Sequence, residues 1–366
     1  MRIFTMAGGW VLPVLLLASL SPALGREARA VKRACDRAGN WLIDQHNLAD
    51  GTFGKSKSAK MPGVVAMVVQ ALCDHPRGYR ETDGPYITRP VKYLLSCQQD
   101  NGAIVVKEFG RDTYHTALAV LALKSLENKA HKDALARAKA YLLKCQAKDG
   151  GFTYGESFRH GGDLSNTWFA LVGLRAAGGK MDPGVQKSSL EFIRRCQDHA
   201  ETNPEFSLHK GESSGGFYYK PGESEAGTIK TRDGNTAPKP YGSMSAAGAE
   251  SLLLCGLQPT ASEVQAALRW FSQNFTLKEN PGVGMQGYYY FVWAFARVMH
   301  EIGAKEILLA DGKKVKWAEE LATQLLALQD KEGFFVNREP RWMEDDPVLC
   351  TAYALEALNL CWINLK

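Results

Sequence analysis

The chain has 366 residues, of which 45% are hydrophobic and 23% charged, and its formal net charge is +5. So mild a positive excess argues against nucleic-acid binding and against strong electrostatic attraction to a membrane. A chain of this length buries a core without covalent staples, so its eight cysteines need not be paired.

The first element is a leader. Residues 1–25 carry one charge, Arg2, an apolar run from Met6 to Leu17 interrupted by Pro13, and then Ala23-Leu24-Gly25, a small-residue cleavage pattern. This predicts a secretory signal peptide rather than an anchor, because about 20 apolar residues are needed to cross a bilayer. No later stretch reads as long and charge-free enough to span, so after cleavage no transmembrane anchor is expected, and the protein is expected to be exported, periplasmic or extracellular.

Beyond the leader the chain repeats itself. A leucine-rich amphipathic stretch runs into a glycine-containing turn, and an apolar stretch follows, six times: near residues 36–75, 88–127, 132–178, 185–256, 262–303 and 316–362. The turns include Cys97-Gln98…Gly102-Ala103-Ile104, Cys145-Gln146…Gly150-Gly151-Phe152, Cys196-Gln197…Gly215-Gly216-Phe217, Gln273…Gly287-Tyr288 and Gln329…Gly333-Phe334. In the third repeat Leu135, Ala138, Tyr141, Leu142 and Cys145 form a helical stripe, then Thr167-Trp-Phe-Ala-Leu-Val-Gly-Leu174 is apolar on every side. A helix apolar all round must be buried on most sides, whereas its striped partner shows one face to water.

Alternation of the two kinds predicts an all-α fold, an (α/α)6 toroid of six helix pairs in two concentric layers. The last helix, ending Leu358-Asn-Leu-Cys-Trp362, is as apolar as the central ones, whereas an open solenoid needs polar caps at both ends. Closure against the first repeat is therefore expected. Cys97, Cys145 and Cys196 occupy equivalent places in successive repeats, usually too far apart to bridge, and read as buried thiols. Two segments interrupt the rhythm: a long Gly- and Ser-rich insertion from Asp198 to Pro240, and Ile307–Trp317, where Asp311-Gly312 signals a β-hairpin. No linker-like composition shift divides residues 26–366, which read as a single domain.

These turns, with Gln ahead of a Gly-aromatic pair, resemble the QW-type repeats of squalene-hopene and oxidosqualene cyclases and of protein prenyltransferase β subunits. The resemblance covers nearly all of the chain after the leader, and it implies a toroid whose central cavity receives isoprenoid chains. Class II cyclases protonate an alkene with the middle acid of an Asp-x-Asp-Asp motif preceding Thr-Ala. The matching positions here are Asp112-Thr-Tyr114-His115-Thr and Asp163-Leu-Ser165-Asn166-Thr, with Tyr or Ser where the donor would be; Met343-Glu-Asp345-Asp346 keeps the last two acids. Prenyltransferase β subunits are similar at Asp112-Thr-Tyr-His115-Thr116, which would make His115 a zinc ligand. It is the sole match to that zinc motif, and no Asp-x-Cys partner occurs, so no metal or other cofactor is predicted.

Residues just before each inner helix should face a ligand. Aligning the apolar runs on Thr116, Thr167, Ser245 and Thr351 gathers Asp112, Tyr114, His115, Asp163, Asn166, Tyr241 and Ser243 into one polar ring. Trp168, Tyr288 and Tyr289 are added as aromatic binding surface. Asp112 and Asp163 also have the character of helix N-caps. For any catalysis, Asp345 or Asp346 is the expected acid, with His115 or Tyr114 steering protons. The leading function is binding, with or without conversion, of an extended apolar or isoprenoid-like ligand. Two other readings stay open: a non-catalytic cell-envelope module holding a protein or glycan, and a polysaccharide-binding or lyase-type toroid with aromatic platforms for sugar rings.

Overall fold

The structure is a computed structural model describing residues 25–158, 160–203, 213–231, 234 and 236–366. The leader falls on residues 1–25, and all of it but Gly25 lies outside the described residues, as do parts of the 198–240 insertion. Twelve α-helices are described: α1 (Arg26–Asp44), α2 (Pro62–Asp74), α3 (Pro85–Ser96), α4 (Asp112–Ser125), α5 (Lys132–Lys144), α6 (Leu164–Ala176), α7 (Pro183–Arg195), α8 (Gly242–Leu254), α9 (Ser262–Asn274), α10 (Tyr288–Ile302), α11 (Trp317–Leu328) and α12 (Pro347–Leu365).

Odd-numbered helices are amphipathic and lie outside. In α1 the buried positions Val31, Cys35, Ala38 and Leu42 fall three to four residues apart, with charged residues between them. Even-numbered helices are buried all round, as in α6 from Leu164 to Leu174, and they pack in the order α2, α4, α6, α8, α10, α12 and back to α2. The inner ring is therefore closed, and α12 also packs on α1 and α11. Of the described helices α12 is long and apolar enough to cross a membrane by length and composition, contrary to the sequence expectation. Its apolar surface is instead spent inside the ring.

The repeated turn residues make one joint over and over. Gln98 donates through Nε2 to the carbonyl of Gly102 (3.3 Å) in its own turn and to that of Ala134 (2.9 Å) in the next outer helix. Gln146 and Gln197 do the same toward Val185 and Glu263. In the last repeat Gln329 reaches Gly333 (2.9 Å) and Ala34 of α1 (3.0 Å), so the joint also fastens the end of the chain to its beginning. The turn glycine has left-handed φ, and a Cβ there would strike the next helix: 2.3 Å from the Arg137 carbonyl at Gly102, 2.1 Å from that of Ser188 at Gly150. The hydroxyl used to align the repeats is the third part. Thr116, Thr167, Ser245 and Thr351 each accept the backbone N–H of the residue that closes the turn, at 2.9–3.1 Å.

The fifth repeat departs from this scheme. Gln273, expected to head its turn, is exposed, and Asn280 serves instead, accepting from Ser243 N (2.8 Å) and donating to Ser243 Oγ (3.1 Å). The expected hairpin is present as the antiparallel pair β3 (Ile307–Leu308) and β4 (Lys314–Val315), after a second small pair, β1 (Thr228–Lys230) with β2 (Thr236–Pro238), inside the insertion. All eight cysteines are buried free thiols.

Candidate ligand cavity

Inner helices that all run the same way bring their N-termini to one end of the ring, and a cavity of about 220 Å³ opens there. Each inner helix contributes residues from its first two turns. From α4 come Tyr114, His115 and Leu118; from α6, Ser165 and Phe169; from α12, Leu349 and Tyr353. These sets follow the three- and four-residue spacing of one helix face. Gly63 and Val64 of α2, Ser243 and Met244 of α8 and Tyr290 of α10 complete the wall, and Arg111, Tyr154, Tyr219, Glu225, Trp342 and Met343 form the rim.

His115 is the chemically distinctive group. Its Nδ1 accepts the backbone N–H of Gly63 at 3.1 Å, which assigns the ring proton to Nε2. Nε2 has no partner although the residue is only 4% exposed. Burial, aided by the positive charge of Arg111, lowers its pKa to about 4, so at neutral pH it is an uncharged N–H donor at the cavity wall. The contact with Gly63 leaves no room for a side chain there, since a Cβ would stand 2.6 Å from Nδ1.

Around it the aromatic rings brace one another. Tyr114 packs on Phe169 with centroids 4.6 Å apart, Phe169 stacks on Tyr290 at 6.1 Å, and Tyr290 meets Tyr353 at 6.1 Å. Ser165 and Tyr290 share a hydrogen bond of 3.1 Å, and Tyr154 and Tyr219 one of 3.0 Å. Burial raises the phenol pKa of Tyr114 and Tyr290, so both stay protonated. At the rim, Arg111 has left-handed backbone (φ 58°) and donates to the Met343 sulfur at 3.0 Å. Glu225 is ion-paired with Arg341, whose guanidinium lies 4.9 Å from the ring of Trp342.

The polar ring expected from sequence is only partly gathered. Tyr114, His115, Tyr241 and Ser243 line the cavity; the others sit behind its wall. Asp163 caps α6, its Oδ1 accepting from Asn166 N (2.8 Å) and its Oδ2 from Asn166 Nδ2 (2.7 Å), which turns both residues toward each other. Asp112 is half-buried and accepts from the Tyr141 hydroxyl at 3.3 Å. Trp168 points toward the other end of the ring, its Nε1 donating to Glu250 at 2.9 Å. Tyr288 donates to the Leu277 carbonyl (2.8 Å) and Tyr289 packs on Phe335 (5.8 Å), leaving Tyr290 to face the lumen.

The expected acids are displaced as well. Asp345 is exposed in a turn. Asp346 caps α12 by accepting from Val348 N (2.8 Å), and its other oxygen accepts from Ser56 (2.9 Å) and Ser58. The buried acid of that segment is Glu344, which receives Tyr289 N (3.1 Å), Tyr290 N (2.8 Å) and Asn337 Nδ2 (2.8 Å) and so caps α10 from outside the cavity. Burial lifts its pKa to about 7. Zinc does not fit the donor set: Nδ1 of His115 is already engaged, and among the described residues no three His, Cys, Asp or Glu side chains converge.

The α/α toroid fold is shared with proteins of known structure. The type II terpene cyclase MstE from Scytonema, in complex with merosterolic acid A (product), superposes with a TM-score of 0.57 at 12% identity, covering 92% of this chain and 99% of that one. The same enzyme in complex with geranylgeranyl dihydroxybenzoate (substrate) gives 0.56 at 15% identity over 92% and 99%. The GH76A α-1,6-mannanase from Salegentibacter sp. HEL1_6 gives 0.61 at 11% identity over 92% and 100%. In sequence, the family described as squalene-hopene cyclase N-terminal domain matches residues 87–203. No curated protein matches the chain in sequence. The family match and the terpene-cyclase neighbours agree with the prenyltransferase and squalene-cyclase repeat toroid that the turns imply.

Proposed function

We propose that the protein is exported and binds an isoprenoid-like ligand in this cavity without converting it. One observation carries the reading: the Nε2–H of His115, buried and unpartnered at the cavity wall. A buried donor left unmade costs about 1–3 kcal/mol, which a ligand oxygen would recover. Below and beside it, Met61, Val64, Leu118, Phe169, Met244 and Leu349 present apolar surface for a hydrocarbon body. Terpene cyclases with the same fold hold a geranylgeranyl ligand, which supports the isoprenoid class. Conversion is not part of the proposal, because the one carboxylate among the described lining residues, Glu225, is tied to Arg341. Protonating an alkene needs a free carboxylic acid in a dry site. Export rests on the leader alone.

A glycan is the second reading, favoured by the likeness to the mannanase fold and by the tyrosine hydroxyls of the wall. Titrating the purified protein with farnesol and with α-1,6-mannotriose, read by intrinsic fluorescence, separates the two. Saturable farnesol binding that weakens about tenfold in His115→Leu is the expected result. Binding of the mannotriose alone would overturn the isoprenoid reading.

A further inference from the structure

The lumen face of α4 grades from charge to hydrocarbon. Arg111, Tyr114 with His115, and Leu118 follow one another by one helical turn each, and all of them line the cavity. The cation is thus at the mouth, the neutral donor in the middle and the aliphatic group deepest. Arg111 sits where α4 begins, and its one side-chain hydrogen bond among the described residues goes to a thioether, a weak acceptor that neutralises no charge. The other charges described at the mouth do not compensate it. Glu225 is satisfied by Arg341, and the Lys220 ammonium, 5.5 Å from the ring of Tyr219, adds a further positive charge. Among the described residues this guanidinium, exposed at the cavity mouth, has no carboxylate of its own, and its place one turn above an orphaned N–H donor suits it to receive oxygen anions.

We infer that the ligand carries an anionic head group, a carboxylate or a phosphate, held between the Arg111 guanidinium and the Nε2–H of His115 while its apolar body fills the cavity. The inference rests on the isoprenoid reading above and adds the head group to it.

Three probes share one chain and differ in their head: farnesol, farnesoic acid and farnesyl phosphate. Each is titrated into the full-length protein and into Arg111→Asn, chosen because Asn tolerates left-handed φ, and Arg111→Lys. The anions should bind the natural protein about tenfold more tightly than the alcohol, and high salt should narrow the gap. In Arg111→Asn the gap should close through loss of anion affinity, with farnesol changing less than about twofold, and Arg111→Lys should restore part of it. The tighter of the two acids identifies the head group. Equal binding of alcohol and anions, or a gap that survives Arg111→Asn, would overturn the inference while leaving the isoprenoid reading intact. Failure of all three probes to bind would overturn both.

Discussion

The two ends of the helical ring handle their interior polar groups differently. At the C-terminal end of the inner helices, Arg297 of α10 donates to Glu250 of α8 through Nη2 (2.6 Å) and Nε (3.1 Å), and the same carboxylate receives Trp168 Nε1. The guanidinium also lies 5.4 Å from Trp293 and 5.9 Å from Trp168, plugging the lumen. Burial opposes its charge, but Glu250, Glu356 and Asp74 outweigh that and raise its pKa. Burial, and then Asp74, push the Glu356 carboxyl well above the usual carboxylate range, with Arg297 opposing them. At the N-terminal mouth, among the described residues, the exposed Arg111 and Nε2 of His115 have no such partners. The far end matches its arginine with a carboxylate inside the chain, whereas the mouth leaves its arginine without one, and the proposed binding function rests on that difference.

The largest expected effect tests the plugged end. Arg297→Met strands Glu250, whose side chain is 3% exposed, and should cost about 3–5 kcal/mol in chemical denaturation, with the double change Arg297→Met, Glu250→Leu recovering most of it. A loss below about 1 kcal/mol would erase the contrast between the ends. Gly63→Ala comes next: its Cβ must displace the His115 ring, costing about 1–3 kcal/mol and weakening farnesol binding together with stability. His115→Leu follows. It removes one unsatisfied donor but also takes the acceptor from the buried Gly63 N–H, so a stability loss of up to about 1–3 kcal/mol is expected beside a roughly tenfold fall in farnesol binding.

The smallest effect is a pH profile in which two terms oppose each other. With the folded-state pKa of His115 lowered to about 4 from 6.5, the unfolded chain binds more protons between those values, so this group makes stability rise with pH across that window. Glu344 is raised from 4.5 to about 7, so its contribution is full below 4.5 and is lost as pH climbs toward 7. Near cancellation is expected between about 4.5 and 6.5. In His115→Leu stability should fall steadily over that range, and in Glu344→Gln it should rise; equal slopes in both variants would contradict the assigned environments.

Much of the fold was legible because its joints are local chemistry. A Gln that reaches the next outer helix, a left-handed Gly pressed against that helix and a hydroxyl that closes the turn recur at fixed places, and the all-apolar stretches could only be inner helices. The site was harder, since one residue along a helix turns the side chain by about 100°. Asn166 and Tyr289 were expected at the cavity, yet their neighbours Ser165 and Tyr290 face it, and Asn166 is spent on Asp163. Lumen positions could have been found by asking which residues stand three or four before a second inward one, as Ser165 does before Phe169 and Leu349 before Tyr353. Tyr154, Tyr219, Glu225 and Trp342 carry no such signal, because loops bring them to the rim. Asp346 misled for a related reason: the preference of acids for helix starts placed it there as a cap, not as an acid for chemistry.

The central claim is that His115 presents a neutral, unpaired Nε2–H to a ligand, and imidazole ¹⁵N NMR of the full-length protein at pH 7 reads it directly. The expected spectrum shows protonated Nε2 and bare Nδ1 for His115, no titration down to about pH 5, and a shift of the Nε2 resonance on adding farnesyl phosphate. A proton on Nδ1, or an Nε2 resonance unmoved by saturating ligand, would contradict it.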